Sequence, residues 1–227
     1  MQAFDVPIIH RHEDFIVVNK PVGLNVHREG EDPGLIEVVQ QQHQLGDLWL
    51  VHRLDKVTSG LLILALNQTA AATLSGLFAN KLIQKYYLAL SDKKPKKKQG
   101  SIIGDMAKSR NGTFKLTQSK ENPAITQFFN KAHNGYRWFV LKPLTGKTHQ
   151  LRVALKSLGS PILGDTAYTG TVADRTYLHA YMLSFTYNGN IFDLKALPSS
   201  GGHFIDSLDS EALSDYASPD SLYWPKR

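Results

Sequence analysis

The sequence predicts a mixed fold in which strands and helices are interleaved along one globular chain, and three observations carry that expectation. Short runs rich in strand formers recur between Phe15 and Leu194, punctuated by turn signals at Asn111-Gly112, Asn122-Pro123, Asn134-Gly135 and Asn188-Gly189. Other segments space their apolar residues by three and four, as a helix with one buried face requires. The hydrophobic share is 42% and the charged share 20%, enough apolar material for a core and too balanced for a disordered chain.

Taken in order, Phe15-Ile16-Val17-Val18 reads as a strand stopped by Asn19-Lys20-Pro21 and Gly23. Leu35 to Gln44 suits a short helix ending near Gly46. Leu48 to Leu54 reads as a strand entering a polar insert, and Leu61 to Leu66 as the strand leaving it. Gln68 to Asn80 is helical in spacing, with Ala70, Leu74, Leu77 and Phe78 in phase. Leu82 to Leu90 is rich in strand formers. The Lys93–Lys98 run, broken by Pro95, is an exposed loop, either simply solvated or a phosphate-contacting arm. Several short strands fill 101–141. Lys147 to Leu158 reads as a helix whose face is Leu151, Ala154, Leu155 and Leu158, stopped by Gly159. Phe185 to Leu194 is a hairpin about Asn188-Gly189. Past Pro198 the chain turns Ser-, Gly- and Asp-rich and reads as a loose tail over about 199–227. No repeat or linker divides it, so one domain over 1–227 is expected.

Composition removes several function classes. The chain has no cysteine, which excludes disulfides, thiolate metal sites and a cysteine nucleophile. No basic segment followed by an apolar one opens it, and its longest apolar run, Leu61–Leu66, is far short of the ~20 residues that span a bilayer. A cytoplasmic location without membrane association is expected. Lys and Arg number 26 against 20 acidic residues, a net charge of +6 that favours a polyanionic partner such as nucleic acid. The nine histidines show no metal-ligand spacing, and no Gly-x-Gly-x-x-Gly follows a strand, so neither metal nor cofactor is expected.

The polar insert His52-Arg53-Leu54-Asp55-Lys56-Val57-Thr58-Ser59-Gly60 is the densest candidate for chemistry. In an extended strand Arg53 and Asp55 share a face, and the guanidinium keeps the carboxylate ionised. Such an aspartate can be a nucleophile. It can equally be half of a structural ion pair on a capped turn. Lys85, Tyr87 and Ala89 share one face of their strand, where Tyr87 could stack on a base or be an ordinary sheet tyrosine. Thr145-Gly146-Lys147-Thr148 is not a P-loop, because the first glycine of that motif falls on Leu141. It is a tight turn into a helix on which Thr148, Arg152 and Lys156 lie beside the apolar stripe. Arg152 is then either available to a site or on a solvated face.

The insert resembles the catalytic motif of pseudouridine synthases of the RluA type: His52-Arg53-Leu54-Asp55-x-x-Thr58-Ser59-Gly60-Leu61-Leu62. Asn19-Lys20-Pro21-Val22-Gly23-Leu24 resembles the family's N-terminal motif, and Lys85-x-Tyr87-Leu88-Ala89-Leu90 its tyrosine motif. Thr145 to Val153, continued by Gly159-x-Pro161-Ile162-Leu163-Gly164-Asp165, is similar to its third motif, and Leu178-His179-Ala180 to the segment after it. The resemblance spans about 8–195.

That resemblance implies an α+β fold around a long, bent, largely antiparallel sheet, and isomerisation of uridine to pseudouridine in rRNA or tRNA without cofactor or metal. It implies Asp55 as nucleophile, Tyr87 against the target base, and Arg152 as the partner of Asp55. Arg53 would fill the gap left by the flipped nucleotide, and Leu178 would wall the pocket. His52, Lys147 and Thr148 are candidate RNA contacts. Departures exist: Lys147 stands where many members carry Arg, and Val153-Ala154-Leu155 replaces a commoner Val-His-Leu. No S4-type segment precedes the motifs, so recognition is expected to rest on the catalytic domain, its loops or a partner. Without a heptad or long apolar face, a monomer is expected. A catalytically silent RNA-binding module is the alternative. A glycosidase is disfavoured, because no second motif-embedded acid accompanies Asp55.

Overall fold

The computed structural model describes residues 4–208 and 211–225; residues 1–3, 209–210 and 226–227 of the expected domain and tail lie outside them. In chain order the elements are β1 (Ile8–Arg11), β2 (Phe15–Lys20), α1 (Leu35–His43), β3 (Trp49–Leu50), β4 (Ser59–Ala65), α2 (Gln68–Ala79), β5 (Gln84–Ser91), β6 (Gln99–Gly104), β7 (Met106–Lys108), β8 (Phe114–Leu116), β9 (Ala124–His133), β10 (Tyr136–Pro143), α3 (Gln150–Ser157), β11 (Leu178–Tyr187), β12 (Asn190–Lys195), α4 (Gly202–Ile205) and α5 (Glu211–Ser214). The chain forms two compact units, one from the residues up to Lys85 with Ala180–Leu197, the other from Tyr86–His179 with the residues from Pro198 onward.

The first unit orders its strands β1-β2-β4-β11, with β3 added on β4 and β12 on β11. Every residue of β2 and β4 is buried. This is why Phe15–Val18 and Leu61–Ala65 within them read as unbroken apolar runs rather than alternating ones. They pair antiparallel from Phe15↔Ala65 to Lys20↔Gly60. α2 covers one face, sinking Ala70 and Leu74 among Phe15, Val17, Leu61, Ile63, Leu183 and Phe185, with Leu77 and Phe78 at the margin. Each such aliphatic or aromatic side chain contributes about 1.5–3 kcal/mol. Asn67 caps α2, its side-chain oxygen accepting the Ala70 N–H at 2.8 Å while its amide donates to Asp14. Tyr187 donates to the same carboxylate at 2.9 Å, and these two hydrogen bonds hold Asp14 below the usual carboxylate range.

The second unit orders its strands β5-β10-β9-β6. The β9–β10 hairpin turns on Asn134-Gly135, both at positive φ, the geometry that makes Asn-Gly a hairpin signal. Between β6 and β9 the chain makes a separate two-stranded excursion, β7 with β8. The Asp105 carboxylate closes the base of that excursion by accepting the Glu121 and Asn122 N–H groups. The Lys93–Lys98 segment is a loop with exposed lysines, as expected.

Three expectations are corrected. The strand expected over 48–54 is only Trp49–Leu50. The helix expected from Lys147 begins at Gln150, because His149 sits at φ 57, in the left-handed region that no helix continues through. The tail is not loose: Phe204 is fully buried against Trp138 and Tyr177, and Trp224 lies against Phe129 and Tyr86. Small polar residues dominate its composition, but its few aromatics carry the docking. Among the described residues no helix is long and apolar enough to cross a membrane.

Candidate active site

His52, Arg53 and Asp55 lie on one irregular loop of the first unit, between β3 and β4. The ladder of β3 on β4 stops after Leu50↔Leu64, and the next amide, Ile63 N–H, donates instead to His52 Nε2 at 2.9 Å. An imidazole thus takes over where a strand carbonyl would have stood, and the backbone is released into the loop. The expected sharing of a face by Arg53 and Asp55 therefore does not arise. Arg53 is exposed and Asp55 half-buried, on a segment without strand geometry.

The His52 ring stacks on Phe78 with centroids 4.1 Å apart. Its pKa is pushed down to about 3, first by burial and then by the charge of Lys85. The residue keeps some accessible surface, but a ring nitrogen that accepts a backbone N–H must be unprotonated, which agrees with the lowered value. Lys85 is itself lowered by burial, its ammonium 5.9 Å from the Phe78 ring centre.

Asp55 is held through its own backbone and its neighbours'. Its carbonyl accepts the Thr58 N–H at 2.9 Å, closing a turn, and the Lys56 carbonyl accepts the Gly23 N–H at 2.8 Å. Lys20 is fully buried and donates to the carbonyls of Leu24 at 2.8 Å and Pro21 at 2.9 Å, with Lys56 O at 3.5 Å. Behind the turn, Gly60 has φ 114, and a Cβ there would lie 2.3 Å from the Ala180 carbonyl oxygen. The Lys20–Leu24 motif thus buttresses the loop that carries Asp55.

The remaining candidates belong to the second unit. Tyr87, half-buried, pairs with Leu141 across β5 and β10. Leu178 opens β11 and is buried, its carbonyl accepting from Arg175 Nη2 at 3.3 Å. Thr148 is exposed, and Lys147 reaches Asn122 Oδ1 at 2.8 Å. Gln150 fixes this turn. Its Oε1 accepts from Thr145 Oγ1 and Lys147 N, while its Nε2 donates to Ile125 O and Thr126 Oγ1. Thr145–Lys147 is irregular backbone, and the tight turn into the helix is Lys147–Gln150, closed by the Gln150 N–H donating to the Lys147 carbonyl at 3.1 Å.

Arg152 does not lie on a solvated helix face. Residues Gln150 to Leu155 are all buried, and Arg152 Nε and Nη2 donate to the two Asp165 oxygens, both at 2.8 Å. Its guanidinium also lies 4.8 Å from the centre of the buried Tyr168 ring. Asp165 stands inside a recognised motif but had no assigned part; its partner thirteen residues away is visible only in the fold. Tyr168, Lys20 and Arg175 were missed for the same reason.

The first unit offers a half-buried carboxylate on a fixed turn and an exposed arginine, and the second offers a sheet tyrosine and a rigidly oriented guanidinium. These groups suit charge development and base contact. Residues 14–157, more than half of the chain, match the family model described as RNA pseudouridylate synthase. The chain belongs to the RluA-type RNA pseudouridylate synthases, isomerases that act on uridine in RNA. It is 54% identical over 215 residues to an uncharacterized RNA pseudouridine synthase of Haemophilus influenzae, covering 93% of this chain and 96% of that protein. It is 36% identical over 168 residues to the ribosomal large subunit pseudouridine synthase C of Rickettsia bellii, covering 71% of this chain and 56% of that longer protein. The solved structure of human RNA pseudouridylate synthase domain containing 1 superposes with TM-score 0.77 at 26% identity, covering 100% of this chain and 98% of that one. The α+β fold expected from the motifs is thereby that of the family.

Proposed function

We propose that this RNA pseudouridylate synthase uses Asp55 as the nucleophile in isomerising specific uridines of rRNA or tRNA, acting on a nucleotide flipped out of its stack. The observation that carries this is the fixation of Asp55: a half-buried carboxylate on a turn closed by Thr58 and braced by the buried Lys20 and by Gly23. Preorganisation of that kind is what a group attacking a sugar or base requires. Tyr87 serves the base, Arg152 supplies the oriented cation of the set, and Leu178 the apolar wall. The exposed Arg53 occupies the vacated stack, offsetting the few kcal/mol of unstacking. Lys147 and Thr148, at the surface before α3, contact the RNA backbone. Nothing is oxidised or hydrolysed, so the reaction calls for no cofactor. The Rickettsia relative is named for the large ribosomal subunit, which makes large-subunit rRNA the first RNA to map. Both units act as one catalytic domain of a cytoplasmic monomer.

The test is tritium release from RNA carrying 5-tritiated uridine. Asp55→Asn keeps the shape of the side chain and should lower release on the order of a thousandfold or more, as loss of a nucleophile does. A variant as active as the parent would remove Asp55 from the mechanism. Pseudouridine maps of cells with and without the chain would then name the RNA.

A further inference from the structure

The β7–β8 hairpin and Arg152 meet at one side chain. Tyr168 is fully buried, and its hydroxyl accepts the Phe114 backbone N–H at 3.0 Å, so it holds the first residue of β8. The same hydroxyl pairs with His149 Nδ1 at 2.8 Å, at the left-handed residue from which α3 starts. The His149 ring stands edge-on to both Tyr168 and Phe114. The Tyr168 ring faces the Arg152 guanidinium, and Asp165, which forks onto Arg152, caps the short turn that ends in Tyr168; the Tyr168 N–H donates to the Asp165 carbonyl at 3.0 Å.

The hairpin carries exposed Lys108, Arg110 and Lys115, with Lys120 beyond it. Three cations on a two-stranded excursion suit an RNA phosphate backbone, each contact releasing counterions from the strand. At its base the Asp105 carboxylate accepts two backbone N–H groups, and Glu121 is an exposed acid beside it.

We infer that Tyr168 is a positioning residue that ties the basic β7–β8 hairpin to Arg152, so that the grip on RNA and the orientation of the guanidinium depend on the same side chain. This rests on the reading of Arg152 as part of the catalytic set. The two faces of Tyr168 separate the two effects. Its hydroxyl acts on the hairpin, and its ring acts on Arg152.

Tyr168→Phe keeps the ring and removes the hydroxyl. With tritiated total RNA from cells lacking the chain, KM should rise by roughly three- to tenfold, the worth of one buried hydrogen bond, with a smaller fall in kcat. Replacing Lys108, Arg110 and Lys115 together by Ala should flatten the dependence of affinity on salt. Adding Tyr168→Phe to that triple variant should then raise KM little further, because the hydroxyl acts through the hairpin. An equal rise in KM with and without the hairpin cations would overturn the coupling, as would an unchanged KM in Tyr168→Phe. Filter retention of the same RNA reads affinity without turnover. An active Asp55→Asn variant would therefore discard the mechanism proposed above and leave this cycle readable.

Discussion

His52 shows how one side chain ends a strand and starts a loop. Its ring must be neutral to accept the Ile63 N–H, and burial pushes its pKa down to about 3. An unfolded histidine titrates near 6.5, so between these values the unfolded chain binds the extra proton. The contribution to stability is complete above about pH 6.5 and is lost as pH falls below it, with a slope approaching ~1.4 kcal/mol per pH unit. Urea unfolding at pH 7.5 and pH 5 should show this loss, and His52→Gln should reduce it. An identical pH dependence in that variant would mean that the ring is protonated in the fold. The motif containing His52 was legible in the sequence. What its ring does was not, because that depends on Ile63 and Phe78, brought to it by the β3–β4 register and by α2.

At the scale of elements, hydrophobic spacing located β2, β4 and α2 well, and the Asn-Gly pairs located the β7–β8, β9–β10 and β11–β12 hairpins, since these patterns are local. It failed where a side chain replaces backbone pairing, at β3, and where a single left-handed residue, His149, delays α3. Two glycines make a test of the same kind. Gly76, within α2, has open space where a Cβ would stand, so Gly76→Ala should stabilise by about 0.5–1 kcal/mol. Gly60, the second residue of β4, sits at φ 114 with the Ala180 backbone inside contact distance of a Cβ there, so Gly60→Ala must shift backbone and should cost about 2–4 kcal/mol. Denaturant midpoints moving in opposite directions would bear this out. Equal small shifts would mean that β4 tolerates displacement beside the Asp55 loop.

Across the whole molecule, the sequence is least informative about its C-terminal segment, where the aromatics are too far apart to form a period. There, Phe204 packs against Trp138 and Tyr177 and lies 5.4 Å from the Arg175 guanidinium, which also donates to Ser200. Burial holds that guanidinium down to about 10, so it is a costly group to leave without these carbonyl and hydroxyl partners. Tyr177 donates to Asp174 at 2.6 Å and accepts the His203 N–H at 3.2 Å, tying α4 to the Asp174–Tyr177 segment of the same unit. Farther on, Trp224 donates its indole N–H to Pro219 and stands with Tyr86 beside the Lys142 ammonium. The segment is therefore part of the second unit's core. Phe204→Ala should destabilise by about 3–5 kcal/mol, the cost of an unfilled aromatic site. For a chain of this size that lowers Tm by about 10 °C. Thermal unfolding followed by tryptophan fluorescence would measure it, since Trp138 and Trp224 both report on this unit. A shift below about 2 °C would mean that the segment only rests on the surface.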